Sequence, residues 1–206
     1  RTALLVSDAQ DPPQTILCTS STSGEGNTVQ SILLAHSLAS LGKSVLLLDG
    51  DHRSAGITPF LPMTQAVNLS AVIADHLPIA HAVSQDARWS VDVLKSLMPQ
   101  VGAPDVFSTA AFSRFMHDLR TRYAHIVVNA PPVLSAPDAR ILAQHADAVV
   151  YAVRWNKTQL DLILAGQKAL ENVHAPITGL VMSQVDVRRM HKMGAGTLYT
   201  TATRYA

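Results

Sequence analysis

Glycines and hydroxyl side chains concentrate in one short stretch, which reads Ser-Ser-Thr-Ser-Gly-Glu-Gly-Asn-Thr over residues 20–28. The stretch follows an apolar run at 15–19 and precedes another at 29–41, so it connects a predicted strand to a predicted helix. Glycine lets such a loop curl with its N–H groups pointing inward, and the helix N-terminus adds a partial positive charge. The pattern predicts a phosphate-binding loop.

The lysine that an active loop of this kind carries just before its Ser/Thr is absent, because Asn27 stands at that position. We therefore expect the shape of a nucleotide site without its central charge, and only weak binding of ATP or ADP with Mg²⁺. The candidate nucleotide-binding residues are Ser23, Gly24, Glu25, Gly26, Asn27, Thr28 and Val29.

Two carboxylates, Asp49 and Asp51, follow the apolar run at 45–48. Continuous apolar strands are typical of parallel sheets that are covered on both faces. Open α/β sheets place their ligands at the carboxyl ends of such strands. The two aspartates are therefore candidate catalytic residues, and the alternative is a pair of solvated loop carboxylates.

Strand-like and helix-like runs alternate along the rest of the chain. The predicted strands are 15–19, 44–48, 91–94, 125–129, 148–153 and 177–183. The predicted helices are 28–41, 69–75, 104–123, 138–145 and 158–173. This alternation predicts an α/β fold of the P-loop NTPase type, with a doubly wound, mainly parallel sheet and helices on both faces.

Length and composition limit the domain organisation. The 206 residues are 48% hydrophobic and 15% charged, which is typical of one globular domain with a tail. We predict the end of an N-terminal helix and a connector at 1–14, the α/β domain at 15–183 and a C-terminal tail at 184–206. Cys18 and an aromatic stripe from Phe107 to Leu119 are expected in the core.

The charge balance gives no general argument for a nucleic-acid partner, because the net charge is only +1. No apolar run approaches the ~18 residues that span a bilayer. The chain begins at Arg1 rather than Met, so a membrane segment upstream of it is an open alternative.

Four stretches together resemble the cytoplasmic kinase domain of bacterial tyrosine kinases (BY-kinases), which occurs with chain-length-determinant, or polysaccharide co-polymerase, proteins of exopolysaccharide and capsule export. They are 20–28, 46–53, 126–133 and 148–158, and they look like the P-loop, the second acidic motif, the Walker B stretch and a later strand and turn. The resemblance implies a location at the cytoplasmic face of the bacterial inner membrane. It also implies a membrane-embedded co-polymerase region as partner and self-association through a helix that ends near Arg1.

The departures from the family pattern concern charge. Asn27 replaces the P-loop lysine, and Asn129 replaces the Walker B aspartate. The resemblance implies Thr28, Asp49 and Asn129 as metal positions, with Asn129 the weakest of the three. It also implies Tyr199 and Tyr205 as phosphate acceptors.

These departures favour a catalytically impaired kinase-like module, a pseudokinase, that acts in assembly or regulation of exopolysaccharide export. The first alternative is an active tyrosine autokinase that uses Asp49 and Asp51, with Arg53 or a partner's arginine in place of the lysine. The second alternative is an ATPase switch similar to ParA and MinD.

Overall fold

The structure is a computed structural model that describes residues 12–52, 54, 56–61, 69–74, 78–86, 89–95, 106–175 and 177–192. The predictions that concern Arg1, Arg53, Tyr199 and Tyr205 lie outside these residues. The predicted domain boundaries at 14/15 and 183/184 stay predictions.

The described elements follow the predicted alternation. The strands are β1 (Thr15–Ser20), β2 (Val45–Asp49), β3 (Ser84–Asp86), β4 (Val91–Leu94), β5 (His125–Asn129), β6 (Ala148–Arg154) and β7 (Ile177–Ser183). The helices are α1 (Asn27–Ala39), α2 (Leu69–Ala74), α3 (Ala110–Arg122), α4 (Asp138–Ala143), α5 (Leu160–Glu171) and α6 (Val187–Lys192), with a 3₁₀ turn at Ile79–His81.

One sheet of seven strands contains them in the order β3-β4-β2-β5-β1-β6-β7. Every neighbouring pair is parallel except β3 with β4, which is antiparallel. The first described strand, β1, has β6 and β7 on one side and β5 on the other, and β5 separates β1 from β2, β4 and β3. The predicted doubly wound, mainly parallel fold of the P-loop NTPase type is confirmed.

The sheet separates two hydrophobic layers, because successive strand residues face opposite sides. Ile16, Cys18 and Leu47 pack on the side of α1, whereas Leu17, Leu46 and Leu48 pack on the side of α3. All of β1, β2 and β5 is buried, which explains why these strands read as continuous apolar runs.

The aromatic stripe lies in the core, as predicted. Phe107, Phe112, Met116 and Leu119 are buried, and Phe115 packs against them. Cys18 is also buried as predicted, and burial raises the pKa of its thiol to about 12. A thiol that is fully buried among apolar side chains is a structural residue rather than a nucleophile.

Many predicted element ends differ from the structure by one or two residues, and three larger differences stand out. Strand β3 was not predicted, because its sequence, Ser-Gln-Asp, has no apolar alternation; among the described strands, β3 pairs with β4 alone. Helix α3 begins at Ala110 rather than at 104, because the Thr109 hydroxyl accepts a hydrogen bond from the N–H of Phe112 and caps it. Helix α6 lies within the segment that was predicted as a tail.

Candidate functional site

The predicted loop and the predicted polar side chains meet at the carboxyl edge of the sheet. Asn129, the last residue of β5, is paired in register with Asp49 of β2 on one side and with Cys18 of β1 on the other. Parallel strands end at the same edge, so the loop after β1 begins beside Asn129 and Asp49.

Two glycines determine the shape of this loop. Gly24 and Gly26 have φ angles of 80° and 94°, a left-handed conformation that other residues rarely adopt. A side chain at Gly26 would also approach the Cβ of Ser183 to 3.2 Å. Helix α1 begins directly afterwards, at Asn27, with no side-chain cap at its N-terminus. The first-turn N–H groups of a helix have no intrahelical acceptors, so they are suited to an anion.

A carboxylate of the loop itself is buried within it. The Oε2 atom of Glu25 accepts hydrogen bonds from the N–H groups of Ser21 at 2.8 Å and Thr22 at 3.2 Å. Its Oε1 atom accepts from the hydroxyls of Thr22 at 3.0 Å and Thr158 at 2.7 Å. Glu25 therefore stabilises the start of the loop, and it also places a negative charge next to the candidate phosphate site.

Side chains from β6, from β7 and from Gln184, which follows β7, also contact the loop. The Ser183 hydroxyl donates to the carbonyl of Glu25, and the Gln184 amide donates to the carbonyl of Gly24 at 2.9 Å. The Tyr151 hydroxyl donates to the Ser21 hydroxyl at 3.0 Å, and burial raises the pKa of Tyr151. Sequence reasoning missed these contacts, because no local pattern indicates which residues of β6 and β7 reach the loop.

The side chain of Asn27 is hydrogen-bonded to the protein. Its Nδ2 atom donates to the carbonyl of Ala130 at 2.8 Å, and its Oδ1 atom accepts from the Ser20 hydroxyl at 3.4 Å. Asn27 is buried, and its two bonds connect the start of α1 to the residue after β5 and to the end of β1. The amide supplies no positive charge to the site.

Asn129 makes the corresponding contact with the acidic motif. Its Nδ2 atom donates to Oδ1 of Asp49 at 2.9 Å, and its Oδ1 atom lies 3.5 Å from the Ser31 hydroxyl, which donates to it. Asn129 is fully buried. The carboxylate requires a donor at this position, so the amide orientation follows from the chemistry.

Asp49 is enclosed by further donors. Its Oδ2 atom accepts from the N–H of Ile57 at 3.1 Å, and its Oδ1 atom also accepts from the N–H of Asp51 at 3.3 Å. Burial raises the pKa of Asp49 to about 6, against the hydrogen bonds from Asn129 and Ile57. With 1% of Asp49 and 7% of Asp51 exposed, the alternative of two solvated loop carboxylates is wrong.

A pocket of about 340 Å³ opens between the loop and the second acidic motif. It is lined by Ser23, Gly24, Asn27, Thr28, Asp51, Ser54, Pro131, Pro132, Ser135 and Ala136. Asp51 accepts hydrogen bonds from both the N–H and the hydroxyl of Ser54, at 3.2 and 2.6 Å. Five of the predicted site residues therefore share one pocket, and Ser54, Pro131 and Pro132 are additions that the sequence did not single out.

The other predicted site residues within the described ranges are not part of this pocket's lining. Glu25 points into the loop, and Asn129 donates a hydrogen bond to Asp49. Gly26 and Val29 line a second, more apolar cavity of about 630 Å³ between α1 and the β6–β7 edge. The metal and nucleotide roles of these residues stay predictions.

The predicted metal positions do not fit Mg²⁺ in this arrangement. Mg²⁺ requires close octahedral oxygen ligands, whereas Asn129 presents its NH₂ group to Asp49. The backbone at Gly56 packs against the Asp49 carboxylate so closely that even a Cβ atom would clash with it. Among the residues that the structure describes, no group of three or more His, Cys, Asp or Glu side chains could hold a metal ion.

None of the helices in the described ranges is long and apolar enough to cross a membrane. The longest two, α1 and α3, have 13 residues each.

Comparison with known sequences identifies relatives of the whole domain. The chain is 25% identical over 170 residues to the tyrosine-protein kinase YwqD of Bacillus subtilis. This match covers 82% of this chain and 72% of YwqD. It is 25% identical over 199 residues to the putative tyrosine-protein kinase EpsB of Ralstonia solanacearum. That match covers 97% of this chain but only 26% of EpsB, so the chain spans about a quarter of that relative.

Solved structures share the fold. The VpsO kinase domain superposes with a TM-score of 0.81 at 26% identity, and the match covers 90% of this chain and 91% of that domain. The cobyrinic acid a,c-diamide synthase of Mycobacterium smegmatis, solved with ADP and magnesium, superposes with a TM-score of 0.72. It is 18% identical and covers 93% of this chain and 82% of that chain, so it shows the fold alone.

A family model described as an AAA domain matches residues 14–176, which include the loop, the acidic motif and the β5 region. The chain therefore belongs to this AAA-domain family, and within it the chain is similar to the domains of bacterial tyrosine-protein kinases.

Proposed function

We propose that this chain is a catalytically impaired BY-kinase-like module that acts in assembly or regulation of exopolysaccharide or capsule biosynthesis. Its relatives YwqD, a tyrosine-protein kinase, and EpsB, a putative tyrosine-protein kinase, supply the kinase-like context. Among the relatives is the succinoglycan biosynthesis transport protein ExoP of Rhizobium meliloti, 22% identical over 175 residues, which covers 82% of this chain and 22% of ExoP.

The observation that carries the proposal is that both replacement amides are bound inside the protein. Asn27 donates to the carbonyl of Ala130, and Asn129 donates to Asp49. Phosphoryl transfer depends almost wholly on positioning and on stabilisation of charge. The loss of one preorganised charge contact costs about 3–4 kcal/mol, or about 10²–10³ in rate.

Nucleotide binding is a separate part of the proposal. The pocket retains the Thr28 and Asp51 side chains beside the start of α1, which supports loose binding of ATP or ADP. The buried charge of Glu25 and the absence of a cation at Asn27 both weaken the attraction for a triphosphate. We expect ADP to bind weakly, with a dissociation constant in the millimolar range or above.

The test is restoration of the two charged residues. Asn27→Lys, Asn129→Asp and the double variant are incubated with Mg·ATP, together with the co-polymerase region, and phosphotyrosine is measured by mass spectrometry. We expect no phosphotyrosine in the unaltered protein and measurable phosphotyrosine in the double variant. Asn172→Lys, which adds the same charge at an exposed position, is the matched control. Efficient autophosphorylation of the unaltered protein would disprove the impairment.

An active tyrosine autokinase is the second candidate, favoured by the names of the relatives. Here Asp51, with Asp49 behind it, acts on an acceptor tyrosine, and Tyr199 and Tyr205 are the predicted acceptors. The same mass spectrometry separates the two candidates, because phosphate on either tyrosine of the unaltered protein supports the kinase.

The proposed location is the cytoplasmic face of the bacterial inner membrane, beside a membrane-embedded co-polymerase region of the same or a partner chain. Self-association through the N-terminal helix is part of this proposal. Sedimentation of the present chain and of a version extended at its N-terminus tests it, since we expect the extended version alone to form large oligomers. Equal masses would contradict this part.

A further inference from the structure

A row of three polar residues crosses the carboxyl edge of the sheet. Asp49 is in register with Asn129 on β5. On its other side, Leu48 is in register with Leu94 of β4, so Lys95 follows β4 at the level of Asp49. Neighbouring strands lie about 4.8 Å apart, and the row therefore places an ammonium group, a carboxylate and an amide on adjacent strand ends.

Lys95 is unusual because it is buried, with 2% of its surface exposed. Lysine is almost never fully buried unless its charge is paired. Its Nζ atom donates to the carbonyl of Leu61. Burial lowers the pKa of Lys95, and the negative charge of Asp49 acts in the opposite direction.

The turn at 56–61 contacts both charged groups. The N–H of Ile57 donates to Oδ2 of Asp49, while the carbonyl of Leu61 accepts from Lys95. The N–H of Leu61 donates in turn to the carbonyl of Ile57 at 3.0 Å. One short turn thus holds the carboxylate at one end and the ammonium group at the other, on the same side of the sheet.

We propose that Lys95 is the resident counter-ion of Asp49 and that it takes the place of a divalent cation at this carboxylate. A buried carboxylate requires a compensating positive charge. Lys95 supplies one charge from within the fold, and Asn129 and Ile57 supply hydrogen bonds. The Asp49 end of the site is therefore closed to Mg²⁺, independently of whether the chain retains kinase activity.

A double-mutant cycle tests the pairing. Lys95→Met removes the ammonium group, Asp49→Asn removes the carboxylate, and the combined variant removes both. Urea unfolding at pH 7.5 then measures the unfolding constant of each. We expect Lys95→Met to raise this constant on the order of a hundredfold in the unaltered background, and far less in the Asp49→Asn background. Lys43→Met, at an exposed position just before β2, is the matched control and leaves the constant unchanged.

Lys95→Gln separates charge from hydrogen bonding, because the amide retains a donor for the Leu61 carbonyl. If the charge is decisive, the destabilisation caused by Lys95→Gln is also much smaller in the Asp49→Asn background, as it is for Lys95→Met. If Lys95→Met does not fold while the combined variant folds, the pairing is also supported. Equal destabilisation by Lys95→Met or Lys95→Gln in both backgrounds would overturn the proposal.

Metal binding provides a second test of the proposal, and this test needs no Lys95 variant. Manganese, detected by electron paramagnetic resonance, reports a carboxylate site directly. We expect no manganese bound at Asp49 in the unaltered protein, and thus no difference between it and Asp49→Asn. Manganese binding that Asp49→Asn abolishes would overturn the proposal, whatever the kinase assays show.

Discussion

The amide of Asn129 donates a hydrogen bond to the carboxylate of Asp49 across strands β5 and β2, with 2.9 Å between Nδ2 and Oδ1. Both residues are buried at the carboxyl edge of the sheet. A second carboxylate in place of the amide would face Asp49 at hydrogen-bond distance, so the pair is stable only with one neutral partner, a proton or a cation. The neutral amide makes this corner of the site independent of a metal.

Replacement of that amide by a carboxylate, Asn129→Asp, should therefore destabilise the protein at neutral pH. We expect a loss of about 3 kcal/mol in the free energy of urea unfolding, because an uncompensated buried charge is strongly destabilising. Asn172→Asp, at an exposed position on the C-terminal side of α5, should leave the free energy of unfolding unchanged. An unchanged stability of Asn129→Asp without metal would contradict this account.

The raised pKa of Asp49 predicts a pH dependence of stability. Its pKa is about 6 in the folded protein and 3.8 as the ordinary value, so the folded state binds this proton more tightly. The stabilisation of the folded state by the proton on Asp49 is complete below pH 3.8 and is lost as the pH rises through about 6. It amounts to about 3 kcal/mol. Urea unfolding of the unaltered protein and Asp49→Asn across this range measures it, and parallel pH profiles would refute it.

We expect a side chain to be tolerated less well at Gly26 than at Gly42, another glycine with a left-handed backbone conformation. Gly26→Ala forces alanine to a φ of 94° and brings its Cβ to 3.2 Å from Ser183. Gly42→Ala has a φ of 75° with no atom within 4 Å, so it carries the backbone penalty alone. We expect about 1–2 kcal/mol of destabilisation for Gly42→Ala and more for Gly26→Ala, measured by thermal unfolding. Equal losses would mean that contact with β7 does not restrict the loop.

The buried carboxylate of Glu25 should oppose an anion at the neighbouring helix N-terminus. Glu25→Gln keeps an oxygen that accepts from Ser21 and Thr22 but removes the charge. We expect roughly tenfold tighter binding of ADP by calorimetry, because one nearby repulsion is relieved. Glu171→Gln, at an exposed position on α5, should have no effect. Weaker ADP binding by Glu25→Gln would show that the charge orders the loop instead of repelling the ligand.

The sequence alone determined six of the seven described strands and the position of the glycine-containing loop between β1 and α1, because hydrophobic period and glycine placement are local properties. Strands His125–Asn129 and Ile177–Ser183 lie where the apolar runs predicted them. Asn27 and Asn129 were recognisable as charge losses for the same reason: each stands at a definite position in a short motif.

Only the tertiary structure decided what those amides do. Asn27 reaches the carbonyl of Ala130, 103 residues away, and Asn129 reaches Asp49, 80 residues away. Lys95 belongs to no recognisable motif, and its position beside Asp49 follows only from the parallel register that places β4 next to β2. Sequence spacing predicts which residues share an element, but the register between strands decides which buried charges meet, because hydrogen bonds and ion pairs act only over a few ångströms.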